Sequence, residues 1–378
     1  MTVNDIVRVG IIGPSWWVDY WHLPAIQNHP HAIITAICGQ RERDREEIHA
    51  KYGEHARNYT DVATMLRESP LDGVIVCTPN DLHYPNTMAV LERGIHVTCE
   101  KPVALNAEQA GIMAEAAERR HLIGMCNFPY RDNPAVEEFR RLLASGYVGR
   151  LLHLSGDYHG GFGLQRRPNW RGLRSRSGAG ILGDLGSHLI DLVRFITGDE
   201  FVSVCAHSLT VTRDPQSGEV NAITRTEDPL VGDRNDDSCA FLAELSSGAQ
   251  AVLHTSWVAY QGAEVQRQEI EAFGTEGRLH FIADHTGTRL RGKQTSDRQW
   301  ETITVAGIVL PGATGDDNED YFRPGRLSPN NTTYRWIQAI LTGKDSISPD
   351  LVDGWRAQQV IDAVILSSAE RSWTDLYA

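Results

Sequence analysis

Two joined α/β domains are the architecture this sequence predicts. Residues 1–125 read as a doubly wound parallel sheet, and 126–378 as an α/β domain built on a large, mostly antiparallel open sheet. Three observations lead there. β-Branched runs alternate with helix-like stretches up to about residue 125, as in a parallel sheet covered by helices. Beyond Gly149, strand-like runs follow one another with few helices between them, as in antiparallel pairing. At 378 residues the chain also exceeds what one core usually supports.

The first element is Ile6 to Ile12, a β-branched run closed by Gly13 and followed by a helix-like stretch from Trp16 to Asn28. Strand, tight turn and helix open a dinucleotide-binding unit. The G-x-G-x-x-G pattern is degraded here: Gly13 keeps the first position, Ser15 replaces the second glycine and Val18 the third. Ser15 loses close backbone approach to a pyrophosphate but offers a hydroxyl that could cap the helix facing the phosphates. Trp16 and Trp17 are either packing residues or the lining of a cofactor cleft.

The second strand, Ala32 to Cys38, ends at Gly39-Gln40-Arg41, where an acid on the ribose is missing. Gly39 leaves room for a 2′-phosphate that Arg41 or Arg43 could pair with, so the expectation leans to NADP over NAD. The alternative is that both arginines decorate the exposed helix Asp44 to Tyr52. Leu71 to Cys77 is another buried strand, ending in Thr78-Pro79-Asn80-Asp81-Leu82-His83; Asn80 and His83 either cap the next helix or touch ribose and nicotinamide. Gly94 to Cys99 is a strand, Glu100-Lys101-Pro102 its carboxyl end, Asn106 to Arg119 a helix with Asn106 as N-cap, and Leu122 to Cys126 the last strand of this domain.

Asn133 with Pro134 starts a helix to about Ala144. Leu151–Tyr158, Phe201–Val211, Ser238–Leu245, Gln250–Trp257, Gln266–Phe273 and Arg278–Ile282 read as strands, with hairpin turns at Ser246-Ser247-Gly248 and Gly274 to Gly277. Arg213 to Asp236 and Pro311 to Ser328 read as mobile loops. Thr332 to Leu341 and Asp350 to Arg371 read as helices, the second capped by Ser348-Pro349.

With 36 basic against 49 acidic residues, the net charge of -13 argues against nucleic-acid or anionic-membrane partners. No apolar run approaches the ~18 residues of a membrane span, and the start has no signal-like core, so a soluble cytoplasmic protein is expected. Cys38, Cys77, Cys99 and Cys126 lie in or beside apolar runs without any CxxC pair, and read as reduced, buried thiols.

Two constellations carry chemistry. An amine at Lys101, with Glu100 before it and a proline after it, stands at the carboxyl edge of a parallel sheet, where ligands bind in this architecture; the plain alternative is an exposed Glu-Lys pair before a proline turn. In Gly178 to Leu192, helical spacing puts Asp184, His188 and Asp191 on one face. A histidine flanked by carboxylates is a general-base arrangement; the alternatives are a cap, a core histidine, or metal ligands, the last disfavoured because no further His or Cys cluster completes a site. No metal is expected.

Together these residues resemble the glucose-fructose oxidoreductase, inositol dehydrogenase and rhizopine-catabolism family, written Gfo/Idh/MocA. The likeness also covers Thr78-Pro79-Asn80 to His83, Asn127 to Arg131, Asn169-Trp170-Arg171, Asp237-Ser238, Phe273 to Gly277 and Asp353 to Ala357. It implies an N-terminal Rossmann domain, a C-terminal domain whose open sheet mediates homo-oligomers (dimer or tetramer), and hydride exchange between a nicotinamide cofactor and a carbinol of a sugar, glycoside or cyclitol. Carried over residue by residue, Lys101 donates a hydrogen bond to the reacting oxygen, His188 exchanges its proton and Asp184 positions substrate or histidine. Glu100 and Asn127 join the cofactor set. Tyr158, His159, Trp170 and Arg171 are candidates for sugar contacts, since aromatic faces and planar donors suit polyols as well as packing. Two rival readings share the fold: an NAD-dependent glycosidase acting by transient oxidation and elimination, and a non-catalytic cofactor-binding regulator, against which the joint presence of Lys101, Asp184 and His188 argues.

Overall fold

Six parallel strands make the first sheet: β1 (Val7–Ile12), β2 (Ala32–Cys38), β3 (Arg57–Tyr59), β4 (Gly73–Val76), β5 (His96–Glu100) and β6 (Gly124–Asn127), in the order β3-β2-β1-β4-β5-β6. Between them run α1 (Leu23–Gln27), α2 (Glu42–Tyr52), α3 (Val62–Glu68), α4 (His83–Glu92) and α5 (Ala107–Arg119). The order reverses between β1 and β4, the switch point beside which doubly wound sheets bind ligands. Val9, Ile11, Ile37 and Ile75 are solvent-free in the core, as expected of strands buried on both faces. Asn106 caps α5 as its sequence position predicts, its side chain accepting from the Gln109 amide at 3.0 Å.

The computed structural model describes residues 6–52, 55–164, 169–213, 220–259, 266–284, 286–306, 331–344 and 347–376. The chain divides into Met1–Pro129 with Gly325–Gln358, and Tyr130–Pro324 with Gln359–Ala378. A boundary after residue 125 is therefore corrected twice. It would cut β6, which must pair along Gly124–Asn127 to close the sheet, and it overlooks a late stretch that returns to the first unit. That stretch brings α9 (Thr332–Thr342), whose Trp336 is fully buried against β4. Gly73 makes this possible, because a Cβ there would lie 2.5 Å from the Trp336 ring. Burying a tryptophan this way is worth roughly 3–5 kcal/mol against alanine.

The second unit holds a ten-stranded sheet: β7 (Leu151–Gly160), β8 (Phe201–Arg213), β9 (Val220–Arg225), β10 (Ser238–Leu245), β11 (Gln250–Ser256), β12 (Gln266–Gly274), β13 (Gly277–Asp284), β14 (Gly287–Gln294), β15 (Glu301–Thr302) and β16 (Thr374–Asp375). The order is β15-β14-β13-β12-β7-β11-β10-β8-β16, with β9 on β8; among the described residues every pairing is antiparallel except β7 with β11. Helices α6 (Pro134–Ala144), α7 (Arg174–Ser177) and α8 (Ser187–Thr197) belong to this unit. The loop expected from Arg213 to Asp236 is corrected in part: Val220–Arg225 pairs with Leu209–Arg213, because a polar strand with both faces largely wet carries no hydrophobic alternation to betray it. The Pro311 to Ser328 expectation falls outside the described residues.

The final helix, α10 (Leu351–Glu370), starts on Asp350, not on Ser348-Pro349: Asp350 Oδ1 accepts from the Asp353 amide at 2.8 Å and Asp353 Oδ2 from the Asp350 amide at 3.2 Å. All six cysteines are free thiols, with Cys38, Cys99 and Cys126 buried and Cys77 half-buried. Among the described residues no helix is long and apolar enough to cross a membrane.

Candidate active site

In the first unit the carboxyl ends of β1, β4 and β5 carry the predicted residues. Gly13 turns the chain at φ +85°, and a Cβ there would sit 2.6 Å from the Cys77 carbonyl oxygen, so the position demands glycine. The helix expected from Trp16 begins there and widens into a π-helical turn, Val18–His22, before α1. Ser15 Oγ accepts loosely from the Val18 amide at 3.4 Å and lies 3.4 Å from Cys77 Sγ, so it does cap this turn. Trp16 is 69% exposed, whereas Trp17 stacks on Trp21 with parallel rings 5.8 Å apart. The two tryptophans thus divide between surface and packing.

Glu100 is the centre of a buried network rather than the cofactor contact expected of it. Its Oε1 accepts from Trp17 Nε1 at 2.8 Å and Asn127 Nδ2 at 2.6 Å, and lies 2.9 Å from His22 Nε2. Burial alone would raise this carboxyl; His22, Asn127 and the neighbouring Lys101 charge outweigh it and hold the group below the ordinary glutamate value. Asn127 is corrected likewise, its side chain being occupied by Glu100 and by Thr332 Oγ1 at 2.9 Å. His83 is fully buried, its ring nitrogens 2.8 Å from the Pro102 carbonyl and 2.9 Å from that of Thr78. It pins the loops after β4 and β5 together instead of meeting nicotinamide. Burial lowers its affinity for a second proton, so the neutral ring donates to one carbonyl at a time. Lys101, at the end of β5 and joined to Pro102 by a cis peptide, is half-buried between these anchors. Thr78, Pro79 and Asn80 follow β4, with Asn80 opening a single 3₁₀ turn that leads into α4.

After β2, Gly39 abuts Pro14: a Cβ would fall 2.6 Å from its Cδ. Close packing, not space for a phosphate, accounts for that glycine. Arg41 is 82% exposed and pairs with Asp44 at 2.9 Å, while Arg43 pairs with Glu47 at 2.8 Å.

In the second unit the predicted histidine sits in an aromatic corner. His188, on the first turn of α8, is 5% exposed, with Tyr130 edge-on at 4.6 Å and Tyr158 at 6.2 Å between ring centres. The Tyr158 hydroxyl bonds that of Tyr130 and donates to Gln266 Oε1 at 2.6 Å; burial pushes its ionisation well above the usual phenol range. Asp184 lies in a second π-helical turn, Leu182–Gly186, a device that often marks functional sites. Its Oδ2 is 3.8 Å from Arg171 Nε, and the Arg171 guanidinium stands 4.3 Å over the Trp170 ring. The predicted Trp170, Arg171 and Asp184 are thus brought together.

Asp191 follows His188 by three residues on α8. It forms a buried fork with Arg131, 2.9 Å to Nε and 2.5 Å to Nη2. His159 is also corrected. Successive strand residues face opposite ways, so with Tyr158 turned toward α8, His159 leaves from the other face and meets His254 at 2.9 Å. Tyr130 and Asp236 were missed. Asp236 accepts from the Gly180 and Leu182 amides at 2.7 and 2.8 Å, fixing the start of the turn that carries Asp184. No sequence signal singles it out, since its partners lie 56 and 54 residues earlier, but Tyr130 stands inside the Asn127 to Arg131 motif.

A doubly wound sheet with a glycine turn at its switch point, and a second unit with a buried imidazole beside aromatic and ionic side chains, define a nucleotide-dependent enzyme of two units. Residues 7–128 match the model described as oxidoreductase family, NAD-binding Rossmann fold, and 136–280 match the GFO/IDH/MocA C-terminal domain. The chain is 28% identical to levoglucosan dehydrogenase of Pseudarthrobacter phenanthrenivorans, covering 94% of this chain and 92% of the relative. It is 31% identical to D-glucoside 3-dehydrogenase of Escherichia coli, covering 96% and 95%. An oxidoreductase domain protein of Kribbella flavida superposes with a TM-score of 0.81 at 27% identity, over 99% of this chain and all of that one. The chain belongs to the Gfo/Idh/MocA oxidoreductase family.

Proposed function

We propose that this enzyme transfers a hydride between a nicotinamide cofactor and a secondary alcohol carbon of a sugar, glycoside or cyclitol. Lys101 donates a hydrogen bond to the reacting oxygen, His188 exchanges its proton, and Asp184 with Arg171 orients the polyol. The observation that carries this reading is the anchoring of Lys101: an amine at the sheet's carboxyl edge, held between the buried Glu100 network and the loops that His83 joins. Gly13, the Ser15 hydroxyl and the polar turn Thr78 to Asn80 fit a pyrophosphate and ribose at the switch point. When bound, the nicotinamide supplies the hydride acceptor or donor. A carbinol cannot release hydride unless its proton also leaves, and a cation beside the oxygen with a base for the proton lowers that barrier.

The sugar class is supported by the relatives named for levoglucosan and D-glucoside. Preference for NADP rests on the missing acid after β2 and on Arg41, whose exposed pair with Asp44 is worth at most ~1 kcal/mol and so yields readily to a 2′-phosphate. Assembly through the open sheet face is supported by Leu242 and Val252, cross-strand neighbours nearly half exposed on that face.

The test is a nicotinamide-fluorescence screen against sugars, glycosides and cyclitols, repeated with Lys101→Ala and His188→Ala. Each substitution is expected to lower kcat by ~100-fold or more with the fold retained. Turnover near wild type in both variants, or no nicotinamide reduction or oxidation with any substrate, refutes the assignment.

A further inference from the structure

The open face of the second sheet carries a cluster that the proposed reaction does not use. Asp157 and His159 are two residues apart on β7 and so share a face, and the parallel register with β11 sets His254 directly opposite Asp157. His159 Nε2 is 2.9 Å from His254 Nδ1 and 3.7 Å from Asp157 Oδ1, and the three ligand atoms all lie within 4.8 Å of one another. We propose that Asp157, His159 and His254 form a binding site for a divalent transition-metal ion of the zinc class.

Two imidazole nitrogens and a carboxylate oxygen are a ligand set that zinc accepts, with an open fourth position for water. Bonds of about 2.0–2.2 Å in a tetrahedron place ligand atoms roughly 3.3 Å apart. The spacings of 2.9 and 3.7 Å bracket that value, so those two edges close on an ion through shifts of a few tenths of an ångström, and the third, Asp157 to His254, lies within 4.8 Å. The remote nitrogen of His254 is already held by Ser238 Oγ at 2.9 Å, the outer hydrogen bond that orients a ligating imidazole. From the neighbouring β12, Arg267 and Glu269 face the cluster and pair with each other at 2.5 Å, and His280 of β13 bonds Glu269. Arg267 is thus neutralised by Glu269, and Asp157 leaves the cluster attractive to a dication. No metal was expected from the sequence, because these ligands come from strands whose register is invisible in it.

The consequence reaches the other face. Tyr158 lies between the two β7 ligands and points oppositely, toward Tyr130 and His188, so a bound ion braces the strand that holds the aromatic corner.

Tag-free protein dialysed against chelator and titrated with Zn²⁺ by calorimetry is expected to bind one ion per chain with a dissociation constant in the micromolar range or tighter. His254→Gln and His159→Gln should each weaken it by ~100-fold, and Ser238→Ala by about tenfold. Co²⁺ added to the wild-type protein is expected to give the visible bands of a four-coordinate nitrogen and oxygen site, a readout independent of how any variant folds. Absence of saturable Zn²⁺ binding up to 1 mM, binding unchanged in both histidine variants, or a Co²⁺ spectrum with thiolate charge transfer overturns the proposal.

Discussion

Replacing Glu100 by glutamine tests whether the network behind Lys101 is electrostatic. One ionised oxygen meets Trp17, His22 and Asn127 at 2.6–2.9 Å in a site only 6% exposed. Hydrogen bonds to a charged acceptor contribute about 1 kcal/mol more than those to a neutral one, so three of them put the loss near 3 kcal/mol. The carboxyl is held below its ordinary value, so its contribution is present in full above the unfolded-state value of ~4.3 and is lost as pH falls through the depressed folded-state one. Urea titrations of wild type and Glu100→Gln should therefore differ by ~3 kcal/mol at pH 7 and converge as the solution is acidified below about pH 4. A gap below ~0.5 kcal/mol at pH 7, or one that does not narrow on acidification, would show that the network is packing and not charge.

Further expectations follow from the same structure. Arg131→Met leaves Asp191 buried without its fork and should cost about 3–5 kcal/mol by thermal or urea unfolding, with much of it restored when Asp191→Leu is added. Gly13→Ala forces a side chain at φ +85° onto the Cys77 carbonyl, and should abolish nicotinamide binding, seen as lost cofactor fluorescence enhancement. Burial lifts Asp236 to about 6 despite its two amide donors. The folded state then keeps a proton that the unfolded chain has released, so wild type should lose about 2 kcal/mol against Asp236→Asn as pH rises from 4 to 6. A flat difference across that window refutes the shift.

The parallel sheet was legible because alternating β-branched runs and helix caps such as Asn106 are local signals, as is Asn133 in the second unit, and the structure places both caps as read. The return of α9 to the first sheet was not legible, since Trp336 meets Gly73 only through tertiary packing. At the site, the sequence exposed the positions of Lys101 and His188 through motif spacing but could not reveal how they are held. Glu100 gains its partners from two separate segments, and Asp191 is claimed by Arg131 sixty residues away. The misplacement of His159 is different in kind. Strand alternation already separates it from Tyr158, and chemical suitability for sugars overrode a geometric rule that was available. Both π-helical turns escaped because an extra residue per turn leaves no compositional trace.

The lone parallel pairing in the second sheet has a consequence for how the polypeptide matures. β7 joins β11 with His153 beside Gln250, so the middle of the sheet cannot zip until everything between them has left the ribosome. Until then β7 is an unpaired edge, open to strand exchange with another nascent chain. Truncations ending before β11 should accumulate as insoluble material, while those that remove only β16 at the sheet's rim should remain in the supernatant.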